Sequence, residues 1–412
     1  MLNLRVILLG ALCAASPVFA GPIPLEQPVQ INPYTQVQTS NVRFNRWISG
    51  FRDRALRQGI SGATFDAAFA NISYNDTVVN RDRNQSEFSK ALWDYLDTAV
   101  SDARVRNGRA ALANNLQFLT QLEATYGVRK EIIVAIWGLE SAYGAVRGST
   151  PTIEAMATLA YDARRADFFE GQLIAALKIL QAGDTAARNM VGSWAGAMGH
   201  TQFMPTSFLD HAVDGNGDGR RDIWGNDPTD ALASTANYLR AFGWSTGLPW
   251  GVEVRLPSDF PHIAARRDNF RSPSEWAIEG VVDTNGQPVP DYGPATILLP
   301  GGHEGAAFMV FTNFEVLEAY NTADAYVIAV GHLADRIAGG TAIQATWPRS
   351  DGALSGPDRR ELQQRLRDAG FDPEAIDGRI GPLTIDAIRR YQQANGLVPD
   401  GYASPQLLNR LR

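Results

Sequence analysis

The chain has 412 residues, 45% apolar and 20% charged, which is the make-up of an ordinary globular protein with room for roughly two or three domains. Its 37 basic and 44 acidic residues leave a net charge of −7 without a long basic run, so electrostatics gives no reason to expect nucleic acid as a partner. A single cysteine excludes an internal disulfide framework.

Residues 1–20 read as a secretory signal peptide. Arg5 supplies the charged start, Val6 to Ala15 the apolar stretch, and Val18-Phe19-Ala20 the cleavage site before Gly21. That stretch is too short to span a bilayer, and nothing later approaches ~18 consecutive apolar residues, so no transmembrane segment is expected. Leu12 stands before Cys13 where lipid modification wants a small residue, so Cys13 reads as part of the signal. Residues 21–42, rich in Pro, Gln, Asn and Thr without apolar periodicity, are expected to be an exposed lead-in.

Phe44, Trp47, Phe51 and Ala55 then recur at helical spacing up to Gly59. Further helices are predicted over Glu87–Arg106, on the face of Phe88, Leu92 and Tyr95, and over Ala110–Tyr126. The next helix lies within Glu131–Gly144. Its Ile133, Ile136, Trp137 and Glu140 fall at i, i+3, i+4 and i+7, so Glu140 shares a stripe with core residues. A carboxyl held against apolar neighbours resists ionisation, and a raised pKa is what a general acid requires near neutral pH. The same spacing also suits a helix-end glutamate paired with an arginine.

Helices follow over Thr152–Ala160 and Arg165–Ala182. The stretch Gly192–Pro205 sets glycines and polar side chains between aromatics. Its backbone can approach a ligand closely, and Ser193 and Gln202 can hydrogen-bond there, although a turn between helices has the same composition. Asp214-Gly215-Asn216-Gly217-Asp218-Gly219-Arg220 puts oxygen side chains at positions 1, 3 and 5 and glycine at 6 of an EF-hand-type loop. Position 12 is Gly225 rather than glutamate, so the ordinary motif fails, and a solvated Asp/Gly turn reads alike. None of the five histidines forms a His-Glu-x-x-His pair, and there is no Gly-x-Ser-x-Gly elbow or phosphate loop.

A helix is predicted over Pro228–Phe242. Alternation in Val252–Leu256 and β-prone runs at Ala295–Leu299 and Ala307–Thr312 predict a small antiparallel sheet inserted into a helical domain. Helix resumes over Asn313–Ile337, and residues 341–355 read as a linker. Residues 356–412 predict three short helices. The first starts at Pro357, the second follows the loop Asp377–Pro382, and the third begins with the N-cap pair Ser404-Pro405.

The Glu140 and Gly192–Pro205 stretches resemble the lytic murein transglycosylase B family over residues 43–340. The final segment, with Gly378, Gly381, Thr384, Ala387, Tyr391 and Gln392 in register, resembles the short peptidoglycan-binding domain over 356–412. The resemblance implies a mainly α fold: a lysozyme-like helical catalytic domain with a small inserted antiparallel β-sheet, plus a small three-helix C-terminal domain. It implies Glu140 as the single catalytic acid/base and Tyr95 as an aromatic of the sugar groove. Ser193, Gln202, Asn321 and Tyr326 become substrate-binding positions. A structural calcium ion is implied at Asp214, Asn216, Asp218, Arg220 and Asp230, with no cofactor required for chemistry.

The implied activity is periplasmic cleavage, by a monomer, of the β-1,4 bond between N-acetylmuramic acid and N-acetylglucosamine in peptidoglycan. No water is consumed, and 1,6-anhydromuramic acid ends remain. The substrate's acetamido group is taken to assist, which removes the need for a second carboxylate. A hydrolytic muramidase and a non-catalytic peptidoglycan-binding scaffold remain as alternatives; the presence of Glu140 and its partners disfavours the scaffold.

Overall fold

The computed structural model describes residues 33–83 and 90–412; the expected signal peptide and Phe88 lie outside the described residues. The helix Lys130–Ser141 is buried on nearly every side, with Ile132, Ile133, Val134, Ala135, Ile136 and Trp137 all inside. A helix this apolar must be enclosed by others. Asp324–Ile337, Asp102–Asn114, Thr229–Ala241 and Leu116–Tyr126 pack around it. Burying each large aliphatic side chain is worth roughly 1.5–3 kcal/mol, so this central helix is firmly anchored. Phe44, Trp47 and Phe51 stack along Pro33–Arg57; Phe44 meets Tyr74 edge-on, and both Phe44 and Trp47 meet Tyr161 edge-on.

Several boundaries differ from expectation. The first helix starts at Pro33, inside the expected lead-in, because a polar stretch can extend a helix that Phe44 and Phe51 anchor. Gly62–Phe69 and Asp76–Arg83 have 8 residues each, too few to display a repeating face. The helix expected over Glu87–Arg106 is two, Leu92–Ala99 and Asp102–Asn114. Ser101 divides them, its Oγ accepting from Arg104 N–H as an N-cap. Asn115 separates Asp102–Asn114 from Leu116–Tyr126, its Nδ2 turning back to donate to Ala111 O at 2.8 Å.

The inserted sheet has four antiparallel strands, ordered Val282–Asp283, Gly251–Arg255, Ala307–Val310, Thr296–Leu298. Val310 pairs with both Gly251 and Thr296. Trp276, Phe260, Ile297, Met309 and Phe311 give the insertion its own core. Trp250 ties it to Asp324–Ile337 by donating Nε1–H to Asp335 Oδ2 at 2.9 Å.

The expected linker is mostly packed chain. Ile343, Ala345 and Trp347 lie against the main core, and Glu253 accepts the N–H groups of Gln344 and Ala345. The Trp347 ring meets Trp93, and Arg349 forks onto Asp97. Leu354 belongs to the core of the C-terminal unit. That unit consists of Gly356–Asp368, Pro382–Ala394 and Pro405–Leu411. Its tight loop is organised by the buried Gln363, which donates to Asp377 Oδ1, Arg379 O and Thr384 Oγ1 and accepts Gly378 N–H.

Candidate active site

Glu140 lies in the last turn of the central helix, and Tyr326 in the first turn of Asp324–Ile337, which packs against it. The Tyr326 hydroxyl donates to Glu140 Oε1 at 2.6 Å. Glu140 keeps a half-buried edge while Tyr326 is buried. Burial raises the Glu140 pKa from an ordinary 4.5 to about 7, and the Tyr326 bond, which favours the carboxylate, acts against that rise. Burial and the nearby carboxyl hold the Tyr326 phenol well above its usual range, so it stays a donor.

The helix ends without glycine. Ala142 and Tyr143 both adopt left-handed φ, at 50° and 60°, a backbone cost of roughly 1–2 kcal/mol each. The bend returns the Tyr143 ring onto the helix it has just left. Its hydroxyl donates to Arg104 O at 2.8 Å, and Arg104 NH1 donates to Gly138 O at 2.6 Å. Only glycine fits at 138, since a Cβ there would lie 2.5 Å from the Tyr143 ring. The strained turn thus fixes the backbone immediately after Glu140.

Tyr95 is half-buried on Leu92–Ala99, near enough to Tyr326 to act on its titration. The structure therefore brings Glu140, Tyr326 and Tyr95 together. It adds Tyr320, the neighbour of the expected Asn321. Tyr320 donates to Thr201 O at 2.5 Å, and the Glu140 charge helps to raise its pKa. Asn321 itself is exposed between Thr312–Tyr320 and Asp324–Ile337, with Oδ1 accepting Ala323 N–H at 3.1 Å. Its NH2 group is the part suited to a ligand carbonyl.

Ser193 and Gln202 occupy the glycine-rich loop, which is stitched to the central helix by Ser141 Oγ donating to His200 O at 2.5 Å. Ser193 Oγ accepts Ala197 N–H at 3.1 Å, and a hydroxyl so engaged still has a hydrogen to donate. Gln202 has left-handed φ, 54°, and donates Nε2 hydrogens to Arg147 O and Gly199 O. Its side-chain carbonyl oxygen remains as an acceptor. His200, Trp137 and Arg147 also shape this region; Trp137 was visible as the residue one turn before Glu140, whereas no spacing marked the other two.

In the 214–230 loop the acidic side chains organise the backbone. Asp214 accepts from Gly217, Asp218 and Gly219 N–H, and Asp218 from Arg220 N–H. Asn216 Oδ1 accepts Asp218 N–H. Asp230 is buried and joins the start of the loop to residue 222 by accepting from Gly215, Asn216 and Asp222 N–H. Among the described residues no three His, Cys, Asp or Glu side chains converge in a metal-binding cluster. Burial raises the Asp230 pKa and the Asp214 charge raises it further, against its backbone donors. A cation beside these two carboxylates would relieve that repulsion, and the oxygen-only donor set fits calcium.

A helical domain that sets one half-buried glutamate of raised pKa beside tyrosines, with a glycine-rich loop bonded to the end of its helix, has the make-up of a lysozyme-like glycan-cleaving class. Residues 43–335 match the transglycosylase SLT domain, and the chain belongs to that family. Residues 355–411 match a putative peptidoglycan binding domain. The chain is 35% identical over 291 residues to membrane-bound lytic murein transglycosylase B of Escherichia coli, covering 70% of this chain and 79% of that protein. It resembles the structure of SltB3 from Pseudomonas aeruginosa in complex with NAG-anhNAM-pentapeptide. That match has 49% identity and a TM-score of 0.87 and covers 90% of this chain and 99% of that one. The Escherichia coli lytic transglycosylase Slt35 in complex with calcium is 30% identical, with a TM-score of 0.61, over 72% of this chain and 93% of that one.

Proposed function

We infer that this peptidoglycan lytic transglycosylase works with Glu140 as its one acid/base. The observation that carries this reading is the character of the groups acting on Glu140. Tyr326 bonds to it, the Glu140 charge reaches Tyr320, Tyr95 lies near Tyr326, and among the described residues no second carboxylate contributes to its titration. Glycosidases that activate water or form a glycosyl-enzyme ordinarily use two carboxyl groups.

Because Tyr326 donates to Oε1, the proton of Glu140 belongs on Oε2, from which it passes to the oxygen between N-acetylmuramic acid and N-acetylglucosamine. The resulting carboxylate, stabilised by the same Tyr326 bond, takes the proton of the muramic O6 hydroxyl as that oxygen attacks the anomeric carbon. The C1–O4 bond breaks, a C1–O6 bond forms, and no water is consumed. An intramolecular nucleophile needs orientation more than a second base. Asn321 and Ser193 are assigned to the acetamido group, and Tyr95 and Gln202 to the glycan.

We further propose that Asp214, Asn216, Asp218, Asp230 and the Arg220 carbonyl hold a structural calcium ion, and that the signal sequence directs a monomeric mature protein to the periplasm. Calcium would supply charge neutralisation within its loop. No helix among the described residues is long and apolar enough to cross a membrane. The C-terminal unit is assigned to wall glycan. Digestion of murein sacculi followed by mass spectrometry tests the chemistry. Products lighter by one water and inert to borohydride are expected, whereas mainly reducible muramic acid ends would make the protein a muramidase.

A further inference from the structure

One histidine joins the end of the catalytic helix to two other segments. His200 is buried, and its Nδ1 accepts the Trp137 indole N–H at 3.1 Å. An indole nitrogen only donates, so Nδ1 carries no hydrogen and the ring's single hydrogen is on Nε2. Nε2 lies 2.9 Å from Gly225 O and donates to it. Arg147 NH1 donates to the same carbonyl and NH2 to Asn226 Oδ1. NH1 also lies 3.0 Å from His200 Nε2, a contact between two donors converging on one acceptor. Burial and the Arg147 cation lower the ring's pKa, outweighing the Gly225 carbonyl, Asp222 and Asp227, so the ring is neutral.

The backbone of the same residue extends these connections. His200 N–H donates to Ile223 O at 3.2 Å, and His200 O accepts the Ser141 hydroxyl. Ser141 Oγ in turn accepts Gly144 N–H at 3.0 Å. Gly144 has φ 86°, and a Cβ there would lie 2.6 Å from the imidazole, so ring and turn are in close contact. His200 therefore grips Trp137, one turn before Glu140, and Ser141, directly after it, while holding residues 223–225. A small shift of the ring would be passed to the carboxyl between those two anchors.

We propose that His200, as the neutral Nε2–H tautomer, is a positioning residue that clamps Trp137 to the 223–225 segment and so fixes the direction in which Glu140 presents its proton. This rests on Glu140 being the acid, and a separate Glu140→Gln measurement keeps the two ideas apart. Activity surviving in Glu140→Gln would remove the functional reading itself. An inactive Glu140→Gln beside unaffected His200 variants would remove only the clamp.

The test uses the full chain. His200→Phe keeps a ring and loses both side-chain bonds. His200→Asn retains an acceptor near Nδ1, and His200→Gln a donor that reaches Gly225. For His200→Phe, kcat on murein glycan is expected to fall about 10- to 100-fold, with KM within about twofold, the signature of a misplaced catalytic group. Asn or Gln should recover part of the loss. The alkaline limb of the kcat profile should move to lower pH as the carboxyl becomes less confined.

If Phe, Asn and Gln variants all keep kcat within about twofold and leave that limb unmoved, the proposal fails even where melting temperature drops, since the role is then structural alone. Should the Phe variant not fold, Asn and Gln carry the same comparison. Nitrogen NMR of the wild-type histidines adds an independent check: His200 Nδ1 should be unprotonated, and a hydrogen found there would overturn the scheme.

Discussion

Replacing Glu140 by glutamine removes a charge from a place that resists it while keeping the side chain's shape. The Tyr326 hydroxyl can donate to an amide oxygen as it does to the carboxyl. The folded carboxyl titrates at about 7 against an ordinary 4.5, so between those values the native chain holds a proton that the unfolded chain has lost. Stability from this group is full below the unfolded pKa and is lost as pH rises through the folded one. At about 1.4 kcal/mol per decade the displacement is worth about 3 kcal/mol. Solvent at the half-buried edge trims that to about 2–3 kcal/mol.

Glutamine never ionises, so it escapes that cost. Any penalty from its extra N–H groups is independent of pH and cancels when one variant is compared across pH. Relative to wild type, Glu140→Gln should therefore gain about 2–3 kcal/mol between about pH 4 and about pH 8.5. Denaturant unfolding of both proteins at the two pH values reads this directly. Activity on murein, measured alongside, should fall at least ~10²-fold. A stability difference that does not change with pH would refute the claim that Glu140 sits confined and protonated.

The remaining predictions follow from the same contacts. Activity of the wild type should decline as pH rises through about 7, where the acid loses its proton. Tyr326→Phe removes a bond that lowers the Glu140 pKa, so its alkaline limb should move to higher pH while kcat falls; an unmoved limb would show that the bond does not reach the working state. Added calcium should raise the melting temperature and chelator lower it, a response absent from Asp214→Ala, Asp218→Ala; a wild type indifferent to both treatments would return the loop to a solvated turn. A chain ending after Ser350 should still cleave soluble glycan but bind intact sacculi less well, and equal binding by both forms would show that residues 356–412 do not engage the wall.

The sequence disclosed Glu140 because a lone acid on an apolar stripe is a conflict of types, and burial turned that conflict into a raised pKa. Tyr326 and Tyr95 were reachable through family resemblance, since 186 residues separate Tyr326 from Glu140 and no local spacing encodes their bond. Tyr320 and His200 were missed for the same reason: their roles come from tertiary partners, Thr201, Trp137 and Gly225, far along the chain. The sheet was legible in its alternation at Val252–Leu256. The helix breaks at Ser101 and Asn115 were not, because each turns on one side chain hydrogen-bonding to nearby backbone, a detail that a long apolar pattern overrides.

The relation between the two units also depends on contacts that linker composition conceals. A glycine- and serine-containing junction reads as a flexible tether, which would act by raising local concentration over a range set by its length. Here Trp347 and Arg349 are claimed by the catalytic side, Leu354 by the C-terminal side, and Asp351 interacts with Ser404. Little chain is left free to swing. Across the interface Asp400 is nearly saturated: Oδ1 accepts from Gln392 Nε2 and Tyr402 N–H, and Oδ2 accepts from His303 N–H and from His303 Nδ1 at 2.6 Å. Arg389 adds a bond to Ala265 O, and Arg266 lies 3.6 Å from Asp386. A carboxylate with four donors, two from each side, sets orientation as well as proximity. If residues 356–412 hold wall glycan, as proposed above, these contacts would present the strand to the catalytic domain in one orientation, and the C-terminal unit would then position substrate as well as tether it.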